Sequence, residues 1–97
     1  MELQDIVQIV RVIFLFLSLE KNKSNQEVWA QILFIQAEQN NYKEILTTST
    51  EALSYFPTNP LFYYFNGISN RSIDNHKECI ELLKTGLEFV VDNKLLL

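Results

Sequence analysis

Residues 26–59 read QEVWAQILFIQAEQNNYKEILTTSTEALSYFPTN, and residues 60–93 read PLFYYFNGISNRSIDNHKECIELLKTGLEFVVDN. Laid over one another, they place Trp29 against Tyr63, Ala52-Leu53 against Gly86-Leu87 and Asn59 against Asn93. One step further back, the same offset reaches Ser18-Leu19 and Asn25. Small, large and amide residues thus return at intervals of 34 residues (Leu19, Leu53, Leu87), the length of a helix, a turn and a second helix. The chain is expected to fold as helical hairpins stacked side by side.

Caps and breakers divide it into five helices. The first runs from about Leu3 to Lys21, and its middle, Val12 to Leu17, is apolar on every side, so it expects neighbours on more than one face. It closes on Lys21-Asn22-Lys23, cations suited to a C-terminal turn. Ser24 and Glu27 have capping-box spacing ahead of the stripe Val28, Trp29, Ile32, Leu33 and Ile35, and that second helix should stop near Gln39-Asn40-Asn41. The third is expected over Tyr42 to Tyr55, with Ile45, Leu46, Ser49, Ala52, Leu53 and Phe56 on one broad side, and Pro57 ends it because proline has no N–H to donate. Asn59-Pro60 starts the fourth, which extends to about Arg71. Asp74 is expected to cap the fifth, which carries Cys79, Ile80, Leu82, Leu83, Leu87 and Val90 and fades at Val91-Asp92. Asn93 to Leu97 then reads as the start of a sixth helix.

These residues resemble the tetratricopeptide repeat family. In residues 26–59, Trp29 stands in the family's aromatic slot, Tyr42 in the aromatic slot opening the second helix, Ala52-Leu53 in the small-then-large pair and Pro57 in the closing proline slot. In residues 60–93, Tyr63 replaces the tryptophan, Gly67 and Cys79 occupy small-residue slots and Gly86-Leu87 is the small-then-large pair. The chain departs from the pattern at Leu33, where glycine is usual, at Ile45, where alanine is preferred, at His76 in an aromatic slot and at Val91 in the closing proline slot. The resemblance implies an all-α, right-handed α-solenoid of antiparallel helical hairpins. Residues 1–25 would be the second helix and linker of a partial repeat, 26–59 and 60–93 two repeats, and 94–97 the start of a further helix.

The family's first helices line a concave groove that receives a peptide or partner helix. Carried over, the groove slots include Ala30, Phe34 and Glu38 from one repeat and Tyr64, Ile68 and Arg71 from the next, with Glu27, Ala37, Leu61 and Ser72 beside them. The spacing puts each set on one helix face. Such a surface is largely apolar, and it offers no ammonium or amide at the slots where some family members clamp a terminal carboxylate. The expected function is a non-enzymatic interaction module or scaffold for a protein or peptide. The alternative is self-assembly, because Phe14, Leu15, Phe16 and Leu17 would lack a partner helix and could meet a second copy.

Composition narrows the remaining choices. A chain of 97 residues, 47% hydrophobic and 21% charged, has the balance of one folded domain. A net charge of −4 with scattered Lys and Arg builds no field for a phosphate backbone, so nucleic acid is not an expected partner. The run Ile6 to Leu19, broken by Gln8 and Arg11, is shorter than the roughly 20 apolar residues of a membrane span. An acidic start at Glu2 and Asp5 is unlike a signal peptide, so a cytoplasmic location is the expectation, and the sequons at Asn22 and Asn70 carry little weight. One cysteine excludes an internal disulfide and any multi-cysteine zinc site, and no cofactor is expected. His76 and Cys79 have a spacing that could join thiol to imidazole, but both stand in packing slots. Within Phe62-Tyr63-Tyr64-Phe65, consecutive side chains on a helix diverge, so Tyr63 and Phe65 are expected inside and Tyr64 outside. Glu44, Glu51, Glu78, Glu81 and Glu88 should form a solvated outer face.

Overall fold

A computed structural model describes residues 3–21 and 24–95, which form five helices: α1 (Leu3–Lys21), α2 (Gln26–Glu38), α3 (Tyr42–Tyr55), α4 (Pro60–Ser72) and α5 (His76–Leu95). No strand occurs among the described residues. Each helix packs on the next in sequence, and α2 also touches α4. The fold is therefore an all-α helical-repeat arrangement. The starts of α2 and α4, at 26 and 60, and of α3 and α5, at 42 and 76, keep the 34-residue step of the sequence.

Local signals explain the boundaries. Asn25 caps α2, its side chain accepting from the Val28 N–H at 3.3 Å, so the expected Ser24 cap is displaced by one residue. Asn41 caps α3 through the Glu44 N–H, and Asn59 caps α4 through the Leu61 N–H at 2.9 Å, with Pro60 in the first turn.

Both hairpin turns have one geometry. After α2, Asn40 takes a left-handed conformation with φ 53°, and after α4 Asp74 does so with φ 61°. The N–H of Asn40 donates to Ala37 O and that of Asn41 to Gln36 O, each at 3.0 Å. Asp74 N–H donates to Arg71 O at 3.0 Å and Asn75 N–H to Asn70 O at 2.9 Å, the same pair of bonds one repeat later. These are Schellman turns, which satisfy the last carbonyls of a helix and reverse the chain. Asp74 is thus the left-handed turn residue and not the cap of α5, contrary to the sequence expectation.

At its other end α5 continues without a break to Leu95. The further helix expected at 94–97 does not begin separately at 94 or 95, and Leu96 and Leu97 lie outside the described residues. The side chains of Leu19, Lys21 and Asn93, and all of residues 22–23, are outside the description as well.

Cross-helix contacts fix the directions. The rings of Phe34 and Phe65 meet edge-on with centroids 5.3 Å apart, and Asn59 Nδ2 donates to Gln26 Oε1 at 2.7 Å. Early residues of α2 thus meet early residues of α4 and later ones meet later ones, so the two helices run parallel. Between α4 and α5 the order inverts: Tyr63 stacks on Phe89 at 5.7 Å, while Gly67 lies against Leu83.

The core is centred on α2, α3 and α4, where Trp29, Ile32, Leu33, Ile45, Ala52, Phe62 and Phe65 are buried together. Leu33 and Ile45, both bulkier than the family pattern prefers, are wholly enclosed. Burying one such large side chain contributes about 1.5 to 3 kcal/mol. From α1, the i, i+3, i+4 set Val12, Leu15 and Phe16 packs against this core. Of the four residues expected to lack a partner, Leu15 and Phe16 therefore have one within the chain, whereas Phe14 and Leu17 face outward. No described helix is long and apolar enough to cross a membrane.

Candidate functional site

A surface aromatic cluster lies where α2 and α4 run side by side. Phe34 is 52% exposed and Tyr64 49%, yet neither ring is loose, because both lean on the buried ring of Phe65. The centroid separations are 5.3 Å for Phe34 and 5.5 Å for Tyr64, both edge-to-face. Such pairs add about 0.5 to 1.5 kcal/mol beyond the area they bury, so a shared floor holds two exposed rings in register.

Next to Tyr64 is an open depression of about 410 Å³ lined by Tyr42, Tyr64, Ile68, Arg71 and Ser72. The structure thus brings Tyr64, Ile68 and Arg71 of the expected groove into one concavity, and Phe34 joins them through Phe65. Ala30 does not line the depression; it is half-buried and packs against the core, as do Ala37 and Leu61. Glu38 is exposed near the end of α2 and does not line the depression. Tyr42 was not expected there. Its position at the start of α3 reads as a packing aromatic, and only the antiparallel pairing of α3 with α4 carries it alongside Arg71 and Ser72.

A largely buried polar seam runs between α3 and α4, on another face of α4 from Tyr64 and Ile68. Asn66 Nδ2 donates to Ser49 Oγ and Thr50 Oγ1, each at 2.9 Å. Asn70 Nδ2 donates to the Asn66 carbonyl at 2.9 Å, and Asn70 Oδ1 accepts from Asn75 Nδ2 at 3.2 Å. Satisfied networks of this kind lock helix register, whereas a half-satisfied one would be costly. The seam also buries Asn70, the acceptor residue of its sequon, with the side-chain amide engaged at both ends.

The remaining sequence candidates are dispersed. Cys79 is buried while His76 is exposed and sits 3.7 Å from Asp74 at the surface, so thiol and imidazole face different surroundings. Among the described residues no group of three His, Cys, Asp or Glu is placed to hold a metal ion. Glu44, Glu51, Glu78, Glu81 and Glu88 are all exposed on α3 and α5. Tyr63 is half-buried, with its hydroxyl donating to Pro57 O at 2.6 Å, and Phe62 is as completely buried as any core residue.

No family model matches the chain, and no curated protein matches it.

Proposed function

We propose that this chain is a non-catalytic interaction module of the tetratricopeptide kind, binding an apolar peptide or partner helix across α2 and α4. The supporting observation is the pair Phe34 and Tyr64, exposed rings fixed on a buried third ring beside a concavity with Arg71 on its border. Rigid aromatic anchors next to an arginine are what binding hot spots are made of, since little side-chain freedom is lost when a partner covers them. The carboxylate clamp is not part of the proposal, because its lysine and asparagine donors have no counterpart among the residues lining the depression.

The test is selection of helical peptides from a displayed library on the immobilised chain, repeated with Phe34→Ala and Tyr64→Ala. Each substitution is expected to weaken the selected peptides by about 1 to 3 kcal/mol with little change in melting temperature. Peptides indifferent to both substitutions would place binding elsewhere. A collapse of melting would make the rings part of the fold's support instead.

A second reading, pairing of the end faces with another copy, has its own support. Phe14 is 66% exposed beside Ile13 and Leu17 on α1, and Leu87 is 62% exposed beside Ile80 and Val91 on α5. One repeat earlier, the counterparts of Ile80 and Leu87 are Leu46 and Leu53, both partly covered. Uncovered apolar patches on both ends of a stack are the usual sign of a further interface.

A further inference from the structure

The two hairpins provide a control for one another at their turns. In the second, the buried amide of Asn70 is satisfied, its Oδ1 accepting from Asn75 Nδ2 at 3.2 Å. One repeat earlier stands Gln36, only 3% exposed, and its Oε1 has no hydrogen-bond partner among the described residues. The residue matching Asn75 is Asn41, whose side chain is turned instead to cap α3, accepting from the Glu44 N–H at 3.4 Å. A buried acceptor left without a donor is uncommon enough in folded proteins to call for a specific explanation.

Gln36 lines a cleft of about 200 Å³ between α1 and the start of α3. Ile9, Val12, Ile13 and Phe16 form its apolar wall, and Glu44 stands exposed at its rim. The cleft shares no lining residue with the depression at Tyr64.

We propose that this cleft binds a basic group on an aliphatic stem, a guanidinium or an ammonium. Methylenes of the stem lie along α1, in the way that long cationic side chains cover apolar surface while keeping their heads polar. The cationic head donates an N–H to Gln36 Oε1 and faces the Glu44 carboxylate, a charge-assisted contact. A net charge of −4 on the whole chain favours the approach of such a cation. The same chemistry belongs to an arginine or lysine of a partner and to a small free amine or guanidine.

Titration of the 97-residue chain, followed by amide chemical shifts, distinguishes these sources. The probes are n-butylguanidinium, a short blocked peptide with one central arginine, and n-butanol as the uncharged apolar control. Saturable shifts confined to residues 9–16 and 36–44 are expected, with n-butylguanidinium binding about tenfold more tightly than n-butanol. Binding of the peptide as well identifies a partner's side chain as the source; binding of n-butylguanidinium alone supports the site and assigns it to a free small cation. Gln36→Leu, which keeps the volume and removes the acceptor, should weaken binding severalfold while raising the melting temperature. Glu44→Gln should weaken it severalfold with melting unchanged. Absence of saturable shifts, equal affinity for n-butanol, or unchanged binding by Gln36→Leu would overturn the proposal.

Discussion

Gly86 and Gly67 both lie where α4 and α5 approach, yet they have different room for a methyl group. A Cβ on Gly86 would come within 2.9 Å of Tyr63 Cβ and 3.3 Å of the Pro60 carbonyl, neither of which can move without moving α4. A Cβ on Gly67 would meet the end of the Leu83 side chain at 3.2 Å, and Leu83 is 38% exposed, with solvent on one side to shift toward. Alanine gains about 1 kcal/mol of helix propensity over glycine, and overpacking costs about 1 to 3 kcal/mol. Gly86→Ala is therefore expected to lower stability by about 1 kcal/mol, and Gly67→Ala to be neutral or stabilising, by urea denaturation. Equal effects at the two sites would contradict the close α4–α5 approach. The small pair Ala52 and Gly86 was legible in the sequence because its spacing repeats, whereas Gly67 and Cys79, whose counterparts one repeat earlier are Leu33 and Ile45, were read only through the family resemblance. Gln36, Asn66 and Asn70 were not, since an amide reads as surface until both of its neighbouring helices are placed. Ser24 misled for a different reason: Ser24 and Asn25 are both good caps, and residue preference alone does not choose between neighbours.

Among the elements, the turns show how much local chemistry settles. Asn40 and Asp74 hold the left-handed conformations that close the two hairpins, and their short side chains tolerate it. Valine at either position should cost about 1 to 2 kcal/mol, whereas glycine should leave stability within about 0.5 kcal/mol, measured by thermal or urea unfolding. A valine variant as stable as the parent would mean that the turn is not formed this way. The boundaries of α1, α3 and the start of α4 were readable because proline, asparagine and cationic ends punctuate them. The end of α5 was not. Periodicity suggested a stop near residue 92, but Val91 stands where the first repeat has Pro57, and without a residue lacking an N–H nothing obliges the helix to end.

For the molecule as a whole, stacking protects the middle and exposes the ends. Trp29, Ile32, Ile45 and Phe62 are enclosed by helices on several sides, while the outward faces of α1 and α5 carry Phe14, Leu17, Ile80 and Leu87. If these faces pair between copies, mass measured by light scattering rises with concentration, and Phe14→Glu or Leu87→Glu returns it to that of one chain. A single mass at all concentrations would confine the module to partner binding. The all-helical, repeated arrangement was legible because a 34-residue period survives in several independent slots. The concavity at Tyr42, Tyr64 and Arg71 was legible only in part, because it depends on which residues of α3 the antiparallel pairing brings beside α4. The parallel course of α2 and α4 underlies everything said of the binding surface, and proton–proton Overhauser contacts read it directly. Cross-peaks are expected between the rings of Phe34 and Phe65 and between the side-chain amides of Gln26 and Asn59; contacts pairing Gln26 with Ser72 and Glu38 with Pro60 would show the opposite course and contradict it.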